Sequence, residues 1–290
     1  MNILDGNKTS AEVKAEIARE VEKITSTGRR APHLAAVLVG NNGASITYVD
    51  AKIKDCEEVG FRSTLIHLSD TISEAELLEE IDRLNNDHTL DGFIVQLPLP
   101  KHIDENKVIK AIDPSKDVDG FHPENLGKMA LNLPGFVPAT PLGIIELLDR
   151  YNIETGGKHC VVVGRSHIVG LPISILMGRN DYPGNSTVTL THSRTNNLTE
   201  LLRNADIIIA ALGKPKFITG DMVKDGVVVV DVGITRIPDK TKKSGYRIVG
   251  DVDFETVASK AAFITPVPGG VGPMTRVALL KNTLLAARVL

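Results

Sequence analysis

The sequence has little of several residue types that mark particular protein classes. It contains no tryptophan, only 4% aromatic residues and two cysteines, Cys56 and Cys160. Two cysteines are too few for the disulfide framework of a small secreted domain. Since they lie far apart, in a helix-like and a strand-like segment, we expect both to be reduced packing residues. No apolar run reaches the roughly 18 residues that a membrane-spanning helix needs.

An excess of charge of one sign is also missing. The 290 residues carry 33 basic and 36 acidic side chains, which gives a net charge of −3 and a pI near 6.3. This balance offers no electrostatic argument for a nucleic-acid partner or an anionic membrane surface. The N-terminal stretch MNILDGNKTSAEVKAEI lacks the basic start and apolar core of a secretory signal peptide. Composition therefore predicts a globular, cytoplasmic protein.

Alternating apolar segments predict an α/β fold. In the first half, periodicity and capping residues predict helices at 9–27, 44–59 and 73–87, the last with Ser73 as its N-cap. They also predict strands at 33–40 and 61–68, and a strand within 91–100 that ends in a proline-punctuated loop. The second half predicts helices at 140–152, 168–179, 198–203 and 273–290, the last of them strongly amphipathic. It predicts strands at 159–164, 186–193, 205–212, 226–233 and 261–266. Such alternation indicates parallel sheets covered by helices on both faces. The predicted fold class is α/β, with two α/β domains flanking a cleft.

One strand-to-helix turn in the second half has the layout of a phosphate-binding loop. In VVVGRSHIVGLP (161–172), an apolar strand runs into a glycine turn and the start of a helix. Backbone N–H groups and the helix dipole at such a turn face the pyrophosphate of a dinucleotide. The middle glycine of the usual G-x-G-x-x-G pattern is absent between Gly164 and Gly170. The turn alone therefore leaves a nucleotide site and a ligand-free turn as open alternatives.

The next predicted strand indicates which dinucleotide would bind. An NAD site usually has Asp or Glu about 20 residues further on, where it holds the ribose 2′-hydroxyl. Here the strand ends in THSRT, with Ser193 and Arg194 and no carboxylate, and Arg165 stands in the first turn. Arginine and hydroxyl groups suit a 2′-phosphate, so NADP is favoured over NAD. The alternative is that both arginines are solvated loop residues.

Four stretches concentrate polar or loop-forming residues that a substrate site would need. SITYVDAKIKD puts Tyr48 and Lys52 four residues apart, and hence on one helical face. Gln96 stands at the carboxyl end of a predicted strand, where ligands of parallel sheets usually bind. DPSKDVDGFHPENLG (113–127) contains aspartates that look too polar for a core, and TPVPGGVGPMT (265–275) is a proline–glycine loop before the last helix.

Each of these stretches also has an interpretation without catalysis. Tyr48 and Lys52 fit a packed ring beside a lysine whose charge reaches solvent. Asp117 and Asp119 fit turn-forming residues. Together with Asp113 they could suggest a metal site, but no fourth ligand stands at a suitable spacing, so no metal is predicted.

Taken together, the stretches resemble one family nearly end to end. SITYVDAK, DGFIVQLPLP, KDVDGFHPENLG, GRSHIVGLP, TVTLTHSRT, DVGI and TPVPGGVGPMT are similar to motifs of the bifunctional methylenetetrahydrofolate dehydrogenase/methenyltetrahydrofolate cyclohydrolase family, bacterial FolD type. The resemblance implies oxidation of 5,10-methylenetetrahydrofolate with NADP⁺ and hydrolysis of the product to 10-formyltetrahydrofolate, in one-carbon metabolism. It also implies a homodimer, a folate-binding catalytic domain at 1–140, a Rossmann-like NADP-binding domain at 141–272, and a C-terminal helix at 273–290 that packs back on the first domain.

The resemblance also implies roles for individual residues. Lys52 is the key catalytic residue, Gln96 supports it, Tyr48 stacks on the aminobenzoyl ring of the folate, and Asp119 binds the amino edge of the pterin. The implied folate-binding set is Tyr48, Lys52, Gln96, Leu97, Pro98, Asp119, Pro268, Gly269, Gly270 and Pro273. The implied NADP-binding set is Thr140, Gly164, Arg165, Ser166, Ile168, Val169, Ser193, Arg194, Gly213 and Ile234.

Two departures from the family and two alternative functions accompany this assignment. Ala139 and Thr235 stand where the family commonly has cysteine and asparagine, but neither belongs to the catalytic set. An NADP-dependent dehydrogenase of another small substrate would share the architecture, although hydroxyl oxidation generally calls for a base or metal at the carbinol. A non-enzymatic nucleotide-binding protein would form no NADPH from methylenetetrahydrofolate and NADP⁺.

Overall fold

The chain folds into two units, each built around a parallel sheet. The computed structural model describes residues 1–242 and 245–289. The large-sheet unit consists of Met1–Ser10 and Thr140–Thr275, and the small-sheet unit of Ala11–Ala139 and Arg276–Leu290. These compact units do not test the boundaries of the functional domains predicted from the sequence, which stay a prediction.

Helices and strands alternate along most of the chain. The helices are α1 (Gly6–Ser26), α2 (Gly43–Glu58), α3 (Glu74–Asn85), α4 (Glu105–Ala111), α5 (Pro123–Ala130), α6 (Ala139–Arg150), α7 (Gly170–Gly178), α8 (Leu198–Arg203), α9 (Phe254–Ala258) and α10 (Val271–Val289). The strands are β1 (Asn2–Ile3), β2 (His33–Val39), β3 (Arg62–Leu68), β4 (Gly92–Val95), β5 (His159–Val163), β6 (Thr187–Thr191), β7 (Ile207–Ala210), β8 (Val228–Asp231), β9 (Thr235–Pro238), β10 (Tyr246–Val249) and β11 (Phe263–Ile264).

A three-stranded parallel sheet in the order β3-β2-β4 forms the centre of the small-sheet unit. Its middle strand, HLAAVLV, is buried at every position. This explains why its apolar residues do not alternate with polar ones. Apolar residues of α3 and α4 join those of β2 and β4 in one core cluster. Strand β4 ends at Val95, so Gln96 begins the loop at the carboxyl edge of this sheet.

A six-stranded parallel sheet in the order β1-β11-β8-β7-β5-β6 forms the large-sheet unit. The chain runs from β5 to β6 on one side and then crosses to β7 on the other side of β5. The strand order therefore reverses between β5 and β7. In open α/β sheets, ligands bind outside the carboxyl ends of the strands at such a reversal.

The α/β class and the parallel sheets are confirmed, but several elements differ from prediction. The strand predicted within 91–100 covers Gly92–Val95, and the proline-rich loop expected at its end begins at Gln96, since Pro98 and Pro100 cannot donate ladder hydrogen bonds. The patterns do not predict α4, α5, α9 or the antiparallel hairpin of β9 and β10. The C-terminal helix is less amphipathic than expected: between Val277 and Ala287, all residues except Lys281 and Leu285 are buried.

Three smaller points complete the comparison with the sequence. Ser73 caps α3 through a capping box with Glu76, which confirms it as the N-cap. Cys56 in α2 and Cys160 in β5 are free and buried, as expected. In the described part of the chain, no helix is both long and apolar enough to cross a bilayer.

Candidate active site

Helix α2 carries the two residues at the centre of the candidate site. Asn42 caps its start, because the side-chain oxygen accepts the N–H groups of residues 44 and 45 at 2.9 and 3.2 Å. The buried face of α2 consists of Ser45, Val49, Lys52, Asp55 and Cys56. This is the spacing of a single helical face. Lys52 therefore occupies a position where an apolar residue is normally found.

The Lys52 amine is buried and points at Gln96 rather than into solvent. Only 5% of the residue is exposed. Its Nζ donates to Oε1 of Gln96 at 3.2 Å and lies 5.4 Å from the centre of the Tyr48 ring. Nε2 of Gln96 donates to the Leu97 carbonyl at 2.7 Å, which orients the amide so that its oxygen faces the amine. The structure thus brings Tyr48, Lys52 and Gln96 together.

Burial and nearby charges set the protonation of this cluster. Burial lowers the pKa of Lys52, Asp119 and Cys56 raise it in part, and the Arg276 guanidinium lowers it further. Burial also raises the pKa of the Asp119 carboxyl, while Lys52 lowers it. The pKa of the Cys56 thiol is raised by burial to about 12, so this group is not a nucleophile at neutral pH. Lys52 and Asp119 are therefore both displaced towards their neutral forms.

Buried hydrogen bonds hold the main chain around Asp119. Asn282 of α10 is only 3% exposed, and its Nδ2 donates to the carbonyls of Val118 and Val137 at 2.8 and 2.9 Å. The N–H of Ala139 donates to the Asp119 carbonyl at 3.2 Å. Because these bonds hold the main chain on both sides of Asp119, they also restrict the position of its side chain. Sequence reasoning missed Asn282, whose signal is an amide between the apolar runs VALL and LLAA of the last helix.

The expectation that the aspartates of the turn-rich loop are too polar for the core is wrong for Asp117. This residue is 2% exposed. Its carboxylate accepts hydrogen bonds from the N–H groups of Phe121 and His122 and from Nδ2 of Asn125, at 3.2, 2.7 and 2.9 Å. Burial raises its pKa to about 6, while these bonds lower it. Asp117 can be buried because several donors satisfy it, and it orders the turn that follows Asp119.

Four loops at the carboxyl edge of the six-stranded sheet carry predicted cofactor residues. These loops follow β5, β6, β7 and β8. Since parallel strands end at one edge, the loops lie together although they are far apart in sequence. The loop after β5 contains Gly164, Arg165, Ser166, Ile168 and Val169, and the loop after β6 contains Ser193 and Arg194. Gly213 lies in the loop after β7 and Ile234 in the loop after β8. Thr140 lies outside them, in the first turn of α6, where its hydroxyl accepts from Thr275 at 3.1 Å.

Gly164 and Gly170 make backbone approaches that leave no room for a side chain. A Cβ on Gly164 would lie 2.1 Å from the Ala211 carbonyl oxygen, and one on Gly170 would lie 1.9 Å from the Gly164 carbonyl oxygen. Gly164 also has a φ of +120°, which residues with a Cβ rarely adopt. The loops after β5 and β7 therefore touch where the strand order reverses. The two glycines let the backbone of this turn come close to a ligand, which fits the pyrophosphate of a dinucleotide.

Side chains at this edge offer both charge and apolar surface to a ligand. Arg165, Ser193 and Arg194 are exposed. Ile168 and Ile234 are large apolar residues with 39% and 54% of their surface exposed. Exposed apolar groups beside arginines fit the rings and phosphates of NADP. The same exposure fits the solvated-loop interpretation of the arginines, so their individual roles stay a prediction.

Two buried aspartates, missed by sequence reasoning, shape the same edge. Asp231 ends β8 and accepts the N–H groups of Gly233 and Asp251, each at 2.9 Å. Asp251 in turn accepts the N–H groups of Leu212 and Gly213 at 2.6 and 2.9 Å. The loops after β7 and β8 are thus joined through side chains. The signal in the sequence is an aspartate that directly follows a buried valine strand.

The proline–glycine loop before α10 belongs to the large-sheet unit, whereas Lys52 belongs to the small-sheet unit. In this loop Gly269 has a φ of +107°, and its carbonyl accepts the N–H of Asn7 at 3.1 Å. Pro268 is exposed and Gly270 is buried, and Pro273 is buried in the first turn of α10. The role of this loop in folate binding stays a prediction.

The remaining predicted folate residues follow Gln96 directly. Leu97 is half-buried and packs against the core of the small-sheet unit, while Pro98 is exposed. As for metals, no group of three or more His, Cys, Asp or Glu side chains suited to an ion occurs within residues 1–242 and 245–289.

Comparisons with known proteins agree along nearly the whole chain. The model of the tetrahydrofolate dehydrogenase/cyclohydrolase NAD(P)-binding domain matches residues 138–289, and that of the catalytic domain matches residues 4–119. The bifunctional protein FolD of Flavobacterium johnsoniae is 65% identical over 289 residues, which are 100% of this chain and 98% of that protein. The protein of the same name from Porphyromonas gingivalis is 62% identical over 286 residues, covering 99% and 97%.

Solved structures show the same similarity. The bifunctional FolD dehydrogenase/cyclohydrolase of Campylobacter jejuni has a TM-score of 0.93 and 46% identity, covering 100% of this chain and 99% of that one. The Trypanosoma brucei dehydrogenase-cyclohydrolase, complexed with NADP cofactor and inhibitor, has a TM-score of 0.93 and 37% identity, covering 98% and 96%. The chain therefore belongs to the tetrahydrofolate dehydrogenase/cyclohydrolase family and carries both its catalytic domain and its NAD(P)-binding domain.

Proposed function

We propose that Lys52, Tyr48, Gln96 and Asp119 form the folate-binding catalytic site, and that the loops at the carboxyl edge of the six-stranded sheet hold NADP. The chain is an NADP-dependent methylenetetrahydrofolate dehydrogenase and a methenyltetrahydrofolate cyclohydrolase. The proposal assigns these two reactions to residues. The observation that carries it is the buried Lys52 amine, 3.2 Å from the Gln96 oxygen and 5.4 Å from the Tyr48 ring centre.

In the first reaction, the methylene carbon of the substrate loses a hydride. NADP⁺, when bound, accepts that hydride. The methenyl product is a cation stabilised by resonance between two nitrogens, so the protein need not supply a strong base. The task of its residues is alignment. Tyr48 stacks on the aminobenzoyl ring, and Asp119 accepts hydrogen bonds from the amino edge of the pterin.

In the second reaction, water adds to the cationic carbon and releases one proton. The ring then opens as one carbon–nitrogen bond breaks, and the remaining hydroxyl proton passes to the leaving nitrogen. Lys52 is the group placed to take part in this proton transfer. Its pKa is already lowered by burial, and a bound cation would favour the neutral amine further. The same cation favours ionised Asp119. Gln96 holds the amine in position while the proton moves.

NADP is held by groups that suit its 2′-phosphate. Arg165, Ser193 and Arg194 are exposed at the loops after β5 and β6, and neither loop offers a carboxylate at the position that NAD enzymes use for the ribose. The backbone of the Gly164 turn faces the pyrophosphate. We also propose that the protein acts in the cytoplasm as a homodimer, in one-carbon metabolism.

A paired assay tests the role of Lys52. In Lys52→Met, NADPH formation and the decay of methenyltetrahydrofolate are followed separately. We expect cyclohydrolase turnover to fall by about 10²-fold or more, as for loss of a general acid–base group, while measurable hydride transfer survives. Lys54→Met is the matched control, because Lys54 lies on the same helix but is exposed. Cyclohydrolase turnover in Lys52→Met equal to that of the control would refute the assignment.

A further inference from the structure

A second charged residue lies on the buried face of α2, one turn beyond Lys52. Asp55 is 5% exposed, like Lys52 itself, and follows it by three residues. The proposed mechanism does not use this residue. An ionised group in such a place is costly unless partners compensate it, so its partners are informative.

Those partners come from two other helices. Nε of Arg276, in α10, donates to Oδ2 of Asp55 at 2.5 Å. Nζ of Lys14, in α1, donates to Oδ1 at 3.2 Å and also to Glu58 at 2.6 Å. The four residues contribute two positive and two negative charges, so the cluster as a whole is neutral. It joins α1, α2 and α10 at the turn of α2 that carries Lys52.

The charge of Arg276 also acts on the Lys52 amine. The groups around the amine are Tyr48 and Cys56 on its own helix, Gln96 after β4, Asp119 in the following loop, and Arg276 on α10. Of these groups, ionised Asp119 raises the pKa of Lys52 and the Arg276 guanidinium lowers it, while the Cys56 thiol, with a pKa of about 12, is uncharged at neutral pH. Arg276 is thus the cation near an amine that hydrolysis needs in its neutral form. Its ion pair with Asp55 keeps it there.

We infer that Arg276 is a positioning residue for the cyclohydrolase reaction: paired with Asp55, it fixes the turn of α2 that carries Lys52 and keeps a positive charge near the amine. Arg276 itself touches neither substrate nor cofactor in this inference. It rests on the proposed role of Lys52 but concerns a different residue and a different effect. Removing Arg276 leaves the cluster with a net negative charge, and removing the Asp55 charge leaves it with a net positive one.

The two removals therefore predict opposite shifts, because Coulomb interactions with Lys52 change sign. The protein is labelled with ¹³C at the lysine ε-carbons, and the Lys52 signal is identified by its loss in Lys52→Met. We expect the titration midpoint of this signal to move to higher pH in Arg276→Met and to lower pH in Asp55→Asn. The pH limb of cyclohydrolase activity should move in the same two directions. Dehydrogenase kcat/KM should change by no more than about threefold.

Two further variants separate charge from structure. Arg276→Lys keeps the charge and should restore the midpoint. Arg288→Met is the matched control, because Arg288 lies on the same helix and also pairs with a residue of α1, Glu20, but is exposed and lies about three turns beyond Arg276. It should leave the midpoint unchanged. Thermal unfolding of each variant reports any loss of the fold, and Asp55→Asn carries the test alone if Arg276→Met does not fold.

The outcomes distinguish this inference from the assignment of Lys52. An unmoved midpoint in both Arg276→Met and Asp55→Asn, or shifts in the same direction, would overturn the role of Arg276. Activity lost equally at every pH would do the same, since it would indicate a structural role only. If cyclohydrolase activity survives in Lys52→Met, the assignment of Lys52 fails, whatever the midpoints show.

Discussion

At the scale of single residues, the candidate site depends on buried ionisable groups whose partners the fold supplies. An unpaired ammonium on a buried helix face would cost several kcal/mol. Lys52 avoids part of this cost because burial lowers its pKa, and the Gln96 amide satisfies one of its hydrogens. The environment that makes this lysine unfavourable for stability therefore also favours the neutral amine, the form that can accept a proton.

Asp117 leads to a prediction about stability and pH. Its pKa in the folded protein is about 6, above the ordinary 3.8, so the folded protein binds this proton more tightly than the unfolded chain. The contribution to stability is fully present below pH 3.8 and is lost as the pH rises through about 6. The difference corresponds to about 3 kcal/mol. We expect Asp117→Asn to remove this loss, measured as the free energy of unfolding in urea between about pH 4 and pH 7.

Asp113→Asn is the control for this measurement. Asp113 lies in the same loop but is exposed, and the hydrogen bonds that its carboxylate accepts from Ser115 lower rather than raise its pKa. This variant should keep the wild-type decline of stability towards pH 7. If the profiles of wild type and Asp117→Asn run parallel over the whole range, Asp117 does not titrate as assigned.

At the scale of elements, the sequence predicted the long helices and buried strands better than the segments between them. Continuous apolar runs indicated β2, β5, β7 and β8, since these strands are covered on both faces. The hairpin of β9 and β10 was missed because its pattern is weak and its residues are half-buried or exposed. The short helices α4 and α5 were missed because a segment of two turns depends on caps and tertiary contacts more than on periodicity.

The turn between β5 and α7 leads to a prediction about cofactor binding. Gly164→Ala would place a Cβ 2.1 Å from the Ala211 carbonyl oxygen, at a φ of +120°. The loops after β5 and β7 would have to separate. We expect the KM for NADP to rise about tenfold or more, as for misplacement of a positioning element, and the free energy of unfolding to fall.

Gly157→Ala is the matched control for Gly164→Ala. Gly157 also has a positive φ, of +72°, but a Cβ there would meet nothing within 4 Å. The Gly157→Ala substitution should lower the free energy of unfolding by about 1–2 kcal/mol through backbone strain alone, and it should leave the KM for NADP unchanged. Equal effects of the two substitutions on that KM would mean that the close approach at Gly164 has no part in cofactor binding.

At the scale of the whole molecule, each unit is assembled from separate parts of the chain. The large-sheet unit takes the first ten residues and the 140–275 segment, and the small-sheet unit takes the remainder. The division falls within α1, α6 and α10. A truncation at either end would therefore remove residues from one of the two cores, for example the β1 strand that pairs with β11.

The assembly predicted from the family is a homodimer, and it can be measured directly. We expect light scattering after size exclusion to give twice the chain mass of 31.2 kDa over a range of concentrations, with and without NADP. Strand β6 leaves one edge of the six-stranded sheet without a neighbouring strand among the described residues. Such edges are usually protected by charge, a covering segment or a partner. A mass of one chain at micromolar concentration would contradict the prediction.

The sequence by itself determined the α/β class, the buried strands, the turn at Gly164 and, through its motifs, the family and the Tyr48–Lys52 pair. These depend on local spacing, because residues four apart share a helix face and apolar runs mark covered strands. The tertiary structure decided which charges are buried and what compensates them. That Asp117 is a core residue, that Asn282 holds the Asp119 segment and that Asp55 pairs with Arg276 depends on contacts between residues distant along the chain. Local patterns cannot reveal such pairs, since burial of a charge is favourable only when the fold supplies its partner.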